Sequence, residues 1–180
     1  MPTLPALAAH GSAEVAADAQ DAAAARLGQA VHRVLEWAGR PGLAAGHFDL
    51  PAGARSAAAA FGLSPAAAAR VSSVAQQILQ SPACAAFFHG PALRWAGNEV
   101  PVADGGEMLR IDRLVLLDEP GAVPTWWVLD YKLQTGKVSL PLYREQLRRY
   151  VRAVAALQPG DAVCGALITG AGDLLPLEAS

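Results

Sequence analysis

After Gly90 the apolar residues of this chain change their period, and that change limits the folds open to it. Upstream they recur at three- and four-residue steps. Leu27, Val31, Val34, Leu35 and Ala38 lie on one helical arc, which Gly39 and Pro41 bring to an end. Downstream, β-branched and aromatic residues gather in short runs separated by turn residues. Leu93 to Ala103 and Met108 to Leu117 read as strands joined by Asp104-Gly105-Gly106. Thr125 to Leu133 reads as a third strand, after a turn at Asp118 to Pro124. A loop through Gly136 leads to a helix from about Pro141 to Leu157. Ala162 to Thr169 is then a strand, with Asp173 to Leu177 as a further short one. Helices, a run of strands, one more helix and a last strand predict an α/β sandwich with a mixed sheet.

The N-terminal half is plainer. Residues 1–17 mix Pro, Ala, Gly and Ser without period and read as a flexible leader, with the domain proper over 18–180. The helical pattern starts at Asp18, and the stretch from Pro41 to Arg55 looks like loop. Ser64-Pro65 is a helix start, a capping hydroxyl followed by proline in the first turn, for a helix reaching about Gln80. Ser81-Pro82 repeats the signal for a short helix ending near Gly90. With 180 residues, 53% of them hydrophobic, the chain suffices for one domain with a sizeable core.

Charge and cysteine count exclude some functions. Only 17% of residues are charged and the formal net charge is −2. A stand-alone DNA binder usually carries a basic excess, so any nucleic acid must be gripped by a local patch or delivered by a partner. Cys84 and Cys164 stand far apart in apolar surroundings and read as buried free thiols in a reducing cytoplasm. Two cysteines cannot hold an iron–sulfur cluster of the usual four-cysteine kind. No Lys or Arg precedes Arg26, which argues against a signal peptide. No uninterrupted apolar stretch approaches the ~18 residues of a membrane span.

The densest chemical signal is Arg110-Ile111-Asp112-Arg113 followed by Leu129-Asp130-Tyr131-Lys132. Side chains alternate along a strand, so Asp130 and Lys132 share a face. Pairing of the strand carrying Asp112 with theirs would bring both carboxylates to one sheet edge. Two carboxylates with nearby carbonyl oxygens suit Mg²⁺ or Mn²⁺. A lysine two residues along can orient a water or stabilise charge on a phosphate. Each of these charges interrupts an apolar strand, where it is costly unless paired or holding a metal. Glu99, in Gly97-Asn98-Glu99-Val100, reads equally well as a third acidic group at that edge or as a solvated strand position.

The succession Gly28-x-x-x-His32-x-x-Leu35-Glu36, Glu99, Gly106 to Arg113, Asp130-Tyr131-Lys132 and Tyr143-x-x-Gln146-Leu147-x-x-Tyr150 resembles the RecB-like branch of the PD-(D/E)xK nuclease superfamily. It is most similar to the nuclease domain at the C-terminus of AddA- or RecB-type (UvrD-like) helicase–nucleases of the exodeoxyribonuclease V family. The resemblance implies a restriction-endonuclease-like core, a mixed sheet flanked by helices behind an N-terminal helical region. It makes Asp112 and Asp130 the metal-binding carboxylates and Lys132 the catalytic lysine. His32 becomes an added metal ligand, and the Tyr131 carbonyl completes the set around Mg²⁺ or Mn²⁺. Gln146 and Tyr150 fall on a motif that contacts DNA and supports the site. Ile111 stands where the family's name motif has proline, a common departure in this branch. The resemblance further implies an exonuclease acting on single-stranded DNA delivered by a helicase during double-strand break repair and recombination. No Gly-x-x-x-x-Gly-Lys-Ser/Thr loop is present, so the motor must lie elsewhere. The chain is then an excised domain or a small free-standing nuclease. The rival reading is a non-catalytic module that keeps the nuclease fold as a scaffold within a repair complex.

The late helix supplies a candidate DNA grip. At ~100° per residue, Tyr143, Leu147, Tyr150, Val151 and Val154 share an apolar arc. Arg144, Arg148, Arg149 and Arg152 fill most of the opposite side, either as a solvated basic face or as a phosphate-binding stripe beside the site. His10, His47 and His89 lie in loop-like contexts and receive no role. Trp126 and Trp127 are strand neighbours and must face opposite sides.

Overall fold

A computed structural model describes residues 10–40, 47–133 and 140–177, with the backbone alone for 10–19. Three helices come first, α1 (His10–Ala38), α2 (Leu50–Ala60) and α3 (Pro65–Gln80), and a 3-10 turn at Ala85–Phe87 follows. Strands β1 (Leu93–Asp104), β2 (Glu107–Leu117) and β3 (Thr125–Lys132) lead to α4 (Leu140–Leu157), β4 (Ala162–Thr169) and β5 (Leu174–Pro176). The strands form one sheet in the order β1-β2-β3-β4-β5. Every neighbouring pair is antiparallel except β3 and β4, which run parallel. That one parallel pair needs a crossover, and α4 provides it. The mixed sheet and its flanking helices are those expected of a restriction-endonuclease-like core. The loop placed through Gly136 lies outside the described residues.

The sheet buries both faces. Against one, α1 to α3 pack Val31, Val34, Leu35, Val71 and Ile78 onto Val115, Leu117, Leu129, Tyr131 and Ile168. Against the other, α4 packs Leu147, Tyr150, Ala153 and Val154 onto Val102, Ile111, Leu114, Val128 and Leu167. Trp127 meets Phe87 on the first face and Trp126 meets Trp95 on the second, as strand neighbours must.

Three local expectations need correction. Helix α1 begins at His10, well inside the stretch read as leader. An alanine-rich segment has the intrinsic propensity to extend a helix that tertiary packing has already nucleated, with no apolar period to announce it. Helix α2 takes in the last part of the stretch read as loop, Leu50 to Arg55: Asp49 Oδ1 accepts the Ala52 N–H at 2.9 Å and Pro51 sits in the first turn. Its buried residues Gly53, Ala54, Ala57 and Ala58 are too small to raise a hydrophobic signal. Ser81 does not open a further α-helix. Its hydroxyl accepts from Ala83 N–H and donates to the Gly172 carbonyl at 2.7 Å, leaving a single 3-10 turn. The Ser64 cap stands as read, accepting from Ala67 N–H.

In the β1–β2 hairpin the side-chain alternation changes phase. Val115 and Leu117 face α1, and Arg113 with them, whereas Ile111 and Leu109 pack on the α4 side. Ordinary alternation would put 109, 111, 113 and 115 on one face. On the paired strand, Ala96 and Asn98 face α1 and Val100 and Val102 do not. The shift falls at Glu99, with φ +52° the one non-glycine residue in the left-handed region among those described. Register pairs Asn98 with Arg113 and Val100 with Ile111, leaving Glu99 and Asp112 at the shift itself.

Candidate active site

Pairing of β2 with β3 runs from Leu117–Thr125 to Arg113–Leu129 and stops there. Asp112 and Asp130 come immediately after, where the two strands part. Asp112 Oδ2 accepts the Tyr131 main-chain N–H at 2.8 Å, so it caps the separation that would otherwise leave that amide orphaned. Asp130 is 3% exposed and points with Val128 toward the α4 side. Lys132 shares that face, its ammonium 2.7 Å from Asp130 Oδ2 and 4.9 Å from the centre of the Tyr143 ring on α4. The two charges attract across this short gap, although Asp130 Oδ2 has no donor at a favourable angle.

Helix α1 closes the site from the other face. Val31, Val34 and Leu35 are fully buried, which turns the intervening His32 toward the end of β3. Its Nε2 lies 3.2 Å from the Tyr131 carbonyl oxygen and its Nδ1 3.8 Å from Asp112 Oδ2. The imidazole also meets the Tyr131 ring edge-on, with centroids 5.1 Å apart. Asp112, Asp130, Lys132, His32 and the Tyr131 carbonyl thus come together from three elements.

The electrostatics are those of a site held under tension. Burial, then the charge of Asp130, raise the Asp112 carboxyl to about 6, and His32, the Tyr131 amide and Lys132 offset this only in part. Burial draws the Lys132 ammonium down, but Asp130 beside it and Asp112 beyond more than compensate, so it lies above the ordinary lysine range. The Tyr131 phenol, buried and without a hydrogen-bond partner, is pushed up by burial. Beside the cluster opens a cleft of about 430 Å³, walled by Ala24, Gly28 and Gln29 of α1 and by Lys132 and Tyr143 opposite. Gly28 lines the cleft, and among the described residues a Cβ there would meet Leu133 Cδ1 at 3.8 Å.

A divalent cation is a chemical fit for these groups. Two carboxylates, a main-chain carbonyl and an imidazole make a hard-oxygen set with one nitrogen, and a buried carboxylate oxygen without an aligned donor is the atom a cation would satisfy. As the side chains stand, Asp112 accepts the Tyr131 amide, Asp130 lies against the Lys132 ammonium, and His32 faces the Tyr131 carbonyl and Asp112. Among the described residues no three His, Cys, Asp or Glu side chains converge as a ready-made metal site.

The remaining candidates lie farther out. Glu99 is exposed and pairs with Arg110 at 3.4 Å. Gln146 donates to the Tyr150 hydroxyl at 2.7 Å, and burial raises the Tyr150 phenol while Asp130 and Asp112 add to it. Arg149 is taken by Asp104 at 3.0 Å and Glu107 at 2.7 Å, at the tip of the β1–β2 hairpin. Arg148 pairs with Glu145. Arg144 forms no ion pair among the described residues, and with Arg148 it lines a smaller hollow of 270 Å³. The basic face of α4 is therefore partly neutralised at its hairpin side. The sequence pattern assigns no role to Tyr143, Asn98 or Arg113; an arginine between Ile111 and Val115 on an apolar strand is its one signal of them.

The chain matches the family profile described as the PD-(D/E)XK nuclease superfamily over residues 7–173. No curated protein matches it at the significance applied. With nearly its whole length covered, the chain belongs to the PD-(D/E)XK nuclease superfamily.

Proposed function

We propose that this member of a superfamily of generally metal-dependent nucleases hydrolyses DNA phosphodiesters at the junction of β2 and β3. The observation that carries the reading is the buried Asp130 beside Lys132 and a carboxyl, Asp112, raised to about 6. Two buried carboxyls crowded beside a single lysine are costly in a merely structural strand end and are a usual mark of a working site. Asp112, Asp130, His32 and the Tyr131 carbonyl would hold Mg²⁺ or Mn²⁺. When bound, such an ion acidifies a water and offsets the charge developing on the phosphate. Lys132, steered by Asp130 and Tyr143, holds its proton and offers its ammonium to the attacking oxygen or a non-bridging phosphate oxygen. Water adds to phosphorus, the ester P–O bond breaks, and the products are a phosphate monoester and a free hydroxyl.

The substrate we infer is single-stranded DNA, cut exonucleolytically as a helicase delivers it in recombinational repair in the cytoplasm. A formal charge of −2 and a basic face that is partly paired support delivery by a partner over unaided capture. Gln146 and Tyr150 support the site from α4, and Arg144 and Arg148 meet phosphates. No helix among the described residues is long and apolar enough to cross a membrane.

Asp130→Ala should lower cleavage of single-stranded DNA in Mg²⁺ or Mn²⁺ by about a thousandfold or more while circular dichroism stays native. Wild-type rates in that variant, with the metal concentration controlled, would remove Asp130 from the chemistry and the reading with it.

A further inference from the structure

Arg113 is the largest fully buried side chain among the described residues. Among the described residues no carboxylate pairs with it. Its Nε donates to the Phe87 carbonyl at 2.9 Å, and its Nη1 donates to the Gly39 carbonyl at 2.9 Å and to Asn98 Oδ1 at 2.6 Å. The guanidinium lies 4.8 Å from the centre of the Phe88 ring. Asn98, its register partner across the hairpin, uses the other end of its amide to donate to the Glu36 carbonyl at 2.9 Å.

Glu36 and Gly39 belong to the last turn and end of α1, where carbonyls have no partner within the helix and the dipole is negative. The two donors thus satisfy both, and the cation stands where the dipole favours one. Contact there is close: a Cβ on Gly39 would come within 2.8 Å of Arg113 Cζ. His32 precedes Glu36 by four residues, one turn along the same rigid rod. The phase shift at Glu99 and Asp112 makes this possible, since it turns Asn98 and Arg113 toward α1 while Val100, Val102, Leu109 and Ile111 on its other side pack under α4.

We infer that Asn98 and Arg113 form a positioning clamp: by gripping the end of α1 they set where His32 stands over the Tyr131 carbonyl and Asp112. The inference rests on the proposed role of His32 as a metal ligand, but the clamp itself can be read without metal. Neither residue touches substrate; both act through α1.

Asn98 carries the test, because removing Arg113 risks the fold. Asn98→Ala should weaken Mn²⁺ binding, measured calorimetrically on the full chain, by about tenfold, the low end of what losing an outer-shell support costs. In a His32→Ala background the same substitution should leave Mn²⁺ affinity unchanged while lowering the melting temperature as much as it does with His32 in place. Asn98→Asp keeps the acceptor for Arg113 but faces the Glu36 carbonyl with an oxygen, so it should resemble Asn98→Ala. In metal-free protein, Asn98→Ala should shift the imidazole NMR signals of His32 and leave those of His47 in place. Equal loss of affinity with and without His32, or unmoved His32 signals, overturns the clamp. Failure of the wild type to bind Mn²⁺ defeats the metal-ligand reading instead, and the NMR shift still decides the clamp.

Discussion

Each face of the sheet ties its helix to the β1–β2 hairpin through an arginine, and the two ties are opposite in kind. Arg113 grips α1 from inside, fully buried, with three neutral oxygen acceptors and an aromatic ring around it. Arg149 reaches from α4 to Asp104 and Glu107 at the hairpin tip, in solvent, with two carboxylates for partners. Formal charge pairing would rank the second tie above the first. Physical chemistry reverses the order. An exposed ion pair exchanges water for carboxylate at little net gain and is screened by salt. A buried donor fork cannot be withdrawn without stranding the acceptors it satisfied. The helix that carries His32 is held by the stronger device, and the helix that carries the basic face by the weaker.

The sharpest way to break this contrast is to remove the buried tie. Arg113→Met leaves the Phe87 and Gly39 carbonyls and Asn98 Oδ1 without their donor, and should destabilise the protein by about 3–5 kcal/mol. Denaturant titration measures it, and a loss below that of Arg149→Ala would reverse the ranking. Arg149→Ala should lower the melting temperature only at low salt, the difference closing as NaCl is added.

The like-charged pair where the two faces meet gives an effect of intermediate size. Asp112 sits at about 6 in the fold against about 4 in an unfolded chain. The folded state therefore binds the proton more readily than the unfolded one. Its ionised form is a liability above pH 6 that is relieved as pH falls through 6 toward 4. Asp112→Asn keeps an acceptor for the Tyr131 amide and loses the charge. It should raise the melting temperature of metal-free protein by about 2–4 °C at pH 8 and by much less at pH 5. A gain that did not depend on pH would mean that the charge is not the cause.

The smallest expected effect concerns DNA and separates the arginines of α4. Arg144→Ala should weaken binding of a single-stranded oligonucleotide by several-fold and flatten its salt dependence by about one unit of slope. Arg149→Ala should do less on both counts, because its guanidinium is already occupied. Fluorescence anisotropy across a salt series compares them, and equal effects would show that the hairpin carboxylates let go of Arg149 when DNA arrives.

Much of this was legible in the residues. Asp130 and Lys132 had to share a face because strands alternate, and an ion pair at 2.7 Å is the result. The Ser64 cap and the end of α3 at Gln80 followed from local chemistry alone. The alternation rule then misleads at Glu99, where one left-handed residue shifts the phase of two strands. Nothing in Gly97-Asn98-Glu99-Val100 signals that shift, since it is imposed by two cores that must both be filled. Asp112 at the parting of β2 and β3 is likewise a matter of where pairing stops.

What the sequence determined by itself is the order of the strands and of helices α1, α3 and α4, the α/β class and the set of groups able to do chemistry, because periodicity, caps and residue types are local properties. Only the tertiary structure decided that His32 stands 3.2 Å from the Tyr131 carbonyl, that Arg113 is buried under α1, and that Arg149 faces carboxylates. Those facts depend on the angle at which a helix lies across a sheet, and that angle is set by packing between residues distant in the chain.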